Sequence, residues 1–334
     1  MLDVSTIRVA TYTAFKRFDP THTTALRNAF ARKMNGKFNE LTAVIRKAIV
    51  DQNCFGLREG NMLTLQLTPP SGRAFDFPLS KDKVEAFMRW LEDQIDKGML
   101  TVGTMEQLGL SIDESWMNMY ILDSYKRGVI RARYELQKAG FDVPSIEDTG
   151  GIIMSMSTPF HMDRLGLLYL RAYEELKGIT AQMSTQIARV LAQGIADGDG
   201  PRLLARKMRA VIDGTDAGEL GITDTLGRYI PAKRRAEMLA RTEMIRAHHT
   251  ATVQEYRNWA AYNVIVQAEW MTAGDNRVCD RCARMQGNIY TLDEIEKLIP
   301  LHPQCRCIAL PYVEGMPKIP TEIMPKGRLA GTAK

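Results

Sequence analysis

The sequence predicts a mainly α-helical protein with a β-hairpin in its N-terminal region and a small α+β C-terminal module stapled by zinc. Three observations carry this. Apolar residues recur every three or four positions over several long stretches, the period of an amphipathic helix. Residues 61–79 alternate instead with period two, as a strand does. Four of the five cysteines crowd into Cys279–Cys307, with His302 among them.

At 334 residues, 45% hydrophobic and 25% charged, the chain is long enough for two or three domains with cores of their own. The expected organisation is a mostly helical region over 1–150, a helical middle over 151–230, a domain over 231–312 holding the Cys/His module, and a tail over 313–334. That tail carries Pro317, Pro320, Pro325, Gly327 and Gly331 with little apolar content, so it is expected to be extended until docked.

In chain order, residues 6–17 form a weak helical segment, and Asp19-Pro20-Thr21 gives a helix start. Leu26, Phe30, Met34, Phe38, Leu41, Ile45 and Ile49 then mark one amphipathic helix from Thr23 to about Val50, with a basic outer face. Residues 1–50 hold nine Lys/Arg against three Asp/Glu, while the whole chain carries only +5. Arg27, Arg32, Lys33, Lys37, Arg46 and Lys47 are therefore the candidate contacts to nucleic acid or to an acidic protein surface.

Leu63, Leu65 and Leu67, then Phe75, Phe77 and Leu79, alternate about Thr68-Pro69-Pro70-Ser71-Gly72, which reads as the hairpin. Ser80 opens a helix that runs to Gly98. Ser111-Ile112-Asp113-Glu114 resembles a capping box opening a further helix through Trp116 and Tyr125 to Gly140. Gly128 lies inside it. A mid-helix glycine costs about 1 kcal/mol relative to alanine, so a close neighbour or a kink is expected there. Residues 143–160 read as a linker, His161–Ala196 as one or two helices, and Gly198-Asp199-Gly200-Pro201 as a break before a helix over 202–212.

The helix expected over 232–260 is the most informative. Ala236, Ala240, Ala247 and Ala251 share one face, with Glu243 in the middle of that stripe, and Met238, Ile245, Tyr256 and Trp259 line the other. A helix apolar on two sides is sandwiched between partners. A buried carboxylate needs a partner, and Arg241, two positions away, does not face it. Arg241 and Glu243 are thus assigned to a structural network with distant partners, not to catalysis.

Val264–Trp270 alternates as a strand, Thr291-Leu292-Asp293-Glu294 is a capping box, and Cys307-Ile308-Ala309-Leu310 returns as a strand. The cysteines flank these elements. Zinc takes four tetrahedral Cys/His ligands in a closed structural site. Cys279, Cys282, His302, Cys305 and Cys307 are five donors for four positions, and spacing leaves open which one stands aside. A small module with few apolar groups gains its fold from such a metal. A catalytic zinc would need an open position and a neighbouring base, for which only Glu294 and Glu296 are near in sequence.

Arg241-Thr242-Glu243, Trp270, Asp275-x-Arg277-Val278-Cys279-x-x-Cys282, Gly287 and His302-Pro303-x-Cys305-Arg306-Cys307 together resemble the C-terminal domain of phage head morphogenesis proteins, the minor head proteins similar to protein F of phage Mu. The resemblance covers 160–312 and extends more weakly over 80–140. It implies a non-enzymatic virion component that enters the head in several copies at the portal vertex. The portal and other head proteins would be its partners, packaged DNA a non-specific contact, and packaging or ejection the process it assists.

Two other classes compete. A zinc enzyme is one. A deaminase would need His-x-Glu and Pro-Cys-x-x-Cys, which are missing. A nuclease would use His248 and His249, which diverge by about 100° on a helix. An ADP-ribosyltransferase-like site would draw on Ser155-x-Ser157-Thr158 and Glu294-x-Glu296. The other class is a non-virion adaptor that binds proteins through the zinc module. The chain has no apolar stretch of membrane-spanning length, and Met1–Ala10 has no apolar run of a leader. Its odd cysteine count argues against a disulfide framework. Synthesis in the host cytoplasm and residence in the virion are expected, with no membrane partner.

Overall fold

The computed structural model describes residues 19–57, 74–107, 110–222, 229–260, 267–316 and 318. These form nine α-helices, one π-helical turn and five strands. Helix α1 (Thr24–Arg46) runs into the π-helical turn Lys47–Asp51. Phe30, Met34, Phe38, Leu41 and Ile45 are buried along it, as their spacing requires. Its entry is fixed by Asp19, whose carboxylate accepts from Thr21 Oγ1 at 2.8 Å and Thr24 Oγ1 at 2.6 Å and pairs with Arg27. The expected helix over 6–17 lies outside the described residues.

The expected hairpin over 61–79 is corrected. Residues 58–73 lie outside the described residues, and 74–79 are turn, coil and bend leading into α2 (Ser80–Gly98). The alternation of Phe75, Phe77 and Leu79 has a different origin from a strand face. Phe75 packs on Phe55, Phe87 and Trp90, while Phe77 and Leu79 are 40% and 64% exposed. Strands occur instead at β1 (Val102–Gln107) and β2 (Leu110–Ser115), paired antiparallel, and in the C-terminal sheet. The capping-box reading of Ser111–Glu114 fails with it. Asp113 and Glu114 pair with Thr104 and Gly103 across this ladder, and helix α3 (Asn118–Lys138) starts three residues beyond it. Pairing with a neighbouring strand outweighed a local cap signal that had no periodic apolar run directly behind it.

Helices α4 (Ile152–Met156), α5 (Pro159–Ala196), α6 (Pro201–Asp213) and α7 (Ala232–Ala260) follow. Helix α7 is the centre. It packs most extensively on α3, and also on α1, α5 and α6. Ala236, Ala240, Ala247 and Ala251 are fully buried, and so, on other sides, are Ile245, Val253 and Tyr256. Gly128 of α3 lies against this helix so closely that a Cβ there would stand 2.3 Å from His248 O and 2.7 Å from Ala251 Cβ. The glycine and the alanine stripe are two halves of one close helix crossing.

The C-terminal sheet has order β4-β3-β5, all antiparallel, from β3 (Gln267–Met271), β4 (Ile289–Thr291) and β5 (Ile308–Tyr312). Helices α8 (Asp280–Met285) and α9 (Leu292–Leu298) connect the strands. Thr291 and Glu294 form the reciprocal capping box that opens α9. Trp270 is fully buried in a second core that joins the sheet to α3 and α7 through Leu136, Ile245 and Tyr256 and takes in Cys282, Cys305 and Cys307. No described helix is long and apolar enough to cross a membrane.

Candidate metal centre and the helix that holds it

Cys279 is the N-cap of α8, where its Sγ accepts from Cys282 N at 3.5 Å. One helical turn therefore brings the first two sulfurs to the same side. The second loop delivers the rest. His302 Nε2 stands 3.3 Å from Cys279 Sγ and 3.1 Å from Cys282 Sγ. Cys282 Sγ is 3.9 Å from Cys305 Sγ. Two groups of donors result, Cys279/Cys282/His302 and Cys282/Cys305/Cys307, each with its ligand atoms within 4.8 Å of one another. Cys282 belongs to both.

The donor set fits a metal. A tetrahedral site with metal–sulfur bonds of about 2.3 Å has sulfur–sulfur edges of about 3.8 Å, close to the Cys282–Cys305 separation. His302 Nδ1 donates to Pro303 O at 2.8 Å, which leaves Nε2 bare and aimed at the sulfurs. Cys282, Cys305 and Cys307 are buried. Thiols this crowded separate in acidity. Hydrogen bonding from Cys282 and Cys307 pulls Cys305 down, and the same contacts push Cys282 and Cys307 up.

Two polar contacts hold the loops in place. Arg306 is bidentate on Asp275, Nη1 to Oδ2 at 2.7 Å and Nη2 to Oδ1 at 2.6 Å. The Arg306 hydrogen bonds hold the Asp275 carboxyl down at about 2, against its partial burial. This clamp ties the turn before Cys279 to the residue between Cys305 and Cys307. The second contact runs from Gln304 N to Thr242 Oγ1 of α7 at 3.0 Å.

The three residues Arg241-Thr242-Glu243 thus reach three different elements. Arg241 donates to Asn28 Oδ1 of α1 at 2.8 Å and to Glu237 Oε1 at 3.2 Å. Thr242 meets the second Cys/His loop. Glu243, 3% exposed, has its Oε1 at 3.1 Å from Arg246 Nε and 3.5 Å from Arg171 Nε of α5. Arg241 and Glu243 do not pair with each other but fasten opposite sides of α7.

Residues 185–310 match the family model described as Phage Mu protein F like protein. This stretch is Mu F-like. It begins inside α5 and ends inside β5, so it takes in α7, the sheet and all five metal-donor candidates. The matched stretch is 126 of the 334 residues, and the likeness is that of this stretch to that family. Among curated proteins and among solved structures, nothing matches.

The basic residues of α1 do not form one face. Arg27 is buried against Asp19, with side-chain exposures of 6% and 9%, and is no surface contact. The exposed arginines and lysines of that spacing were legible, but the salt bridge that buries Arg27 needs Asp19, eight residues back, to fold over it. Arg32, Lys33, Arg46 and Lys47 are exposed, and Lys37 is half-buried with Glu40 at 4.0 Å.

Upstream of the sheet, the Mu F-like region meets a buried polar chain that no local pattern in the sequence reveals. Glu255 of α7 accepts from Arg133 Nε of α3 at 2.5 Å and from Trp259 Nε1 at 2.9 Å, and pairs with His161 Nε2 of α5 at 3.1 Å. His161 Nδ1 is 2.9 Å from Tyr125 OH. Burial would raise the Glu255 carboxyl, but hydrogen bonds from His161 and Arg133 outweigh it and the net shift is downward. His248 and His249 are also buried, and His249 Nε2 donates to Ile295 O at 2.8 Å. They face α3 and α9 respectively and share no ligand.

Proposed function

We propose that this protein is a minor head protein that assembles at the portal vertex of a phage head, with zinc closing its C-terminal module. The observation that carries the reading is the convergence of Cys279, Cys282, His302, Cys305 and Cys307 within a Mu F-like segment whose Arg241-Thr242-Glu243 helix grips the same loop. The zinc would be held by Cys282 together with donors from both sides of it, and would act as a staple. An ion pair joins the two Cys/His loops, a backbone hydrogen bond ties the second to the central helix, and the donors are largely buried, which suits a closed site.

The portal and other head proteins are the proposed partners, met in several copies. Exposed Arg32, Lys33, Arg46 and Lys47 support an added, sequence-independent contact to packaged DNA, which would weaken steeply with salt. The division near residues 150 and 230 is likewise proposed, and limited proteolysis tests it. Sedimentation of infected-cell lysates through a gradient tests the main reading. The protein should travel with purified heads and remain after a salt wash. Recovery only in the soluble fraction would favour an adaptor outside the virion.

A further inference from the structure

The outward face of α5 changes character along its length. Its first half exposes Phe160, Leu167 and Leu170 at 66%, 59% and 59%, with Asp163 exposed between the first two. Large apolar side chains exposed along one helix face are the raw material of an interaction site. Its second half borders a cleft of about 700 Å³ between α5 and α7, with apolar walls from Ile179, Met238 and Leu239. Glu243 lines that cleft, 3% exposed, and its Oε2 has no hydrogen-bond partner among the described residues.

Two glycines sharpen the picture. Gly166 and Gly178 are exposed in the middle of this 38-residue helix, and a Cβ added at either would meet nothing within 4 Å. Glycine is the poorest helix former after proline. Nothing in the packing of the described residues calls for it at these positions, whereas Gly128 is forced by α7.

We propose that two copies of this chain associate through antiparallel α5 helices, about a two-fold axis beside Ala172 and Tyr173. The face is self-complementary in that arrangement. Leu167 of each copy meets Gly178 of the other, where the missing side chain leaves room for it. Arg171 of each copy faces Glu174 and Glu175 of the other, next to the axis. The apolar first half of each helix covers the cleft of its mate. The interface is isologous and closed, so it stops at two chains. The proposal is independent of the head-protein reading.

Sedimentation equilibrium of the full chain, from low to high micromolar concentration, tests it. The wild type should approach the mass of two chains, and Leu167→Glu with Leu170→Glu should weaken association by at least about tenfold. Both leucines are exposed in the single chain, so the melting temperature of the variant should hold. A charge exchange gives a second arm that does not depend on that variant's folding. Arg171→Glu and Glu174→Arg chains should each associate weakly and recover when mixed. A wild type that stays monomeric throughout, or a dimer indifferent to both sets of substitutions, overturns the proposal.

Discussion

Gln304 donates its backbone N–H to Thr242 Oγ1 at 3.0 Å, and this bond ties the second Cys/His loop to the middle of the central helix. The donor sits at φ 62°, a left-handed conformation that a glutamine adopts only where its surroundings hold it. Thr242 in turn donates to Met238 O at 2.6 Å. Its hydroxyl is therefore used twice, once within the helix and once to the loop.

Thr242→Val keeps the shape and removes both roles. The Gln304 N–H loses its acceptor in a half-buried place, at a cost of about 1–2 kcal/mol. Thermal unfolding should show a melting temperature several degrees lower with the helix content of the folded state unchanged. Thr242→Ser should recover most of the loss. Equal melting of all three chains would mean that the loop is held by other contacts.

Cys282 is the one donor common to both groups. Cys282→Ser should lower bound zinc, measured by elemental analysis of purified protein, from about one per chain to near zero, because the remaining donors lie on either side of the lost sulfur. Thermal stability should fall with the metal, and a chelator should do the same to the wild type. His302→Ala and Cys307→Ser should each retain more metal than Cys282→Ser, since each belongs to one group only and Cys282 still joins the other donors. Unchanged metal content in Cys282→Ser would remove zinc from this account.

How much of this was legible in the sequence follows from how local each signal is. The apolar period of α1, the alanine stripe of α7 and the Thr291–Glu294 capping box are short-range patterns, and each appears in the structure where it was read. Gly128 was legible as an anomaly, though its partner was not. The hairpin over 61–79 misled because Phe75, half-buried, packs in a cluster of rings from elsewhere in the chain, and alternation cannot distinguish that from a strand. The β1–β2 ladder was hidden behind a four-residue cap signal. Arg133, His161 and Glu255 come together across 94 to 122 residues of chain, a distance over which no period carries information.

Gly128→Ala tests the helix crossing directly. The new methyl group would stand 2.3 Å from His248 O, a backbone atom that cannot rotate away. Helices α3 and α7 must separate, and overpacking of this kind costs about 1–3 kcal/mol, here at the upper end because the clashing atom is backbone. Helix propensity works the other way by about 1 kcal/mol, so the net effect is smaller than the clash alone. Urea denaturation should show a lower midpoint. A midpoint at or above that of the wild type would show that the two helices have slack at this crossing.

His248 and His249 give the protein an acid limb distinct from that of its carboxylates. Burial holds His248 down at about 3, helped by the charge of Arg131, and holds His249 down at about 4 despite its bond to Ile295 O. Both are neutral in the folded state. The unfolded chain takes up protons at the ordinary value of 6.5, before the folded chain can. Stability from these residues is therefore complete above about pH 6.5 and is lost as pH falls towards 4 and 3, by a few kcal/mol between them. Asp275, held down at about 2, loses its contribution only below its unfolded value of 3.8. Urea unfolding at about pH 7.5 and about pH 5 separates the two windows. The wild type should lose stability over that interval, and His249→Gln, whose amide can still donate to Ile295 O, should lose about half as much. A wild-type chain equally stable at both values, weakening only in the carboxylate range, would contradict two buried neutral imidazoles.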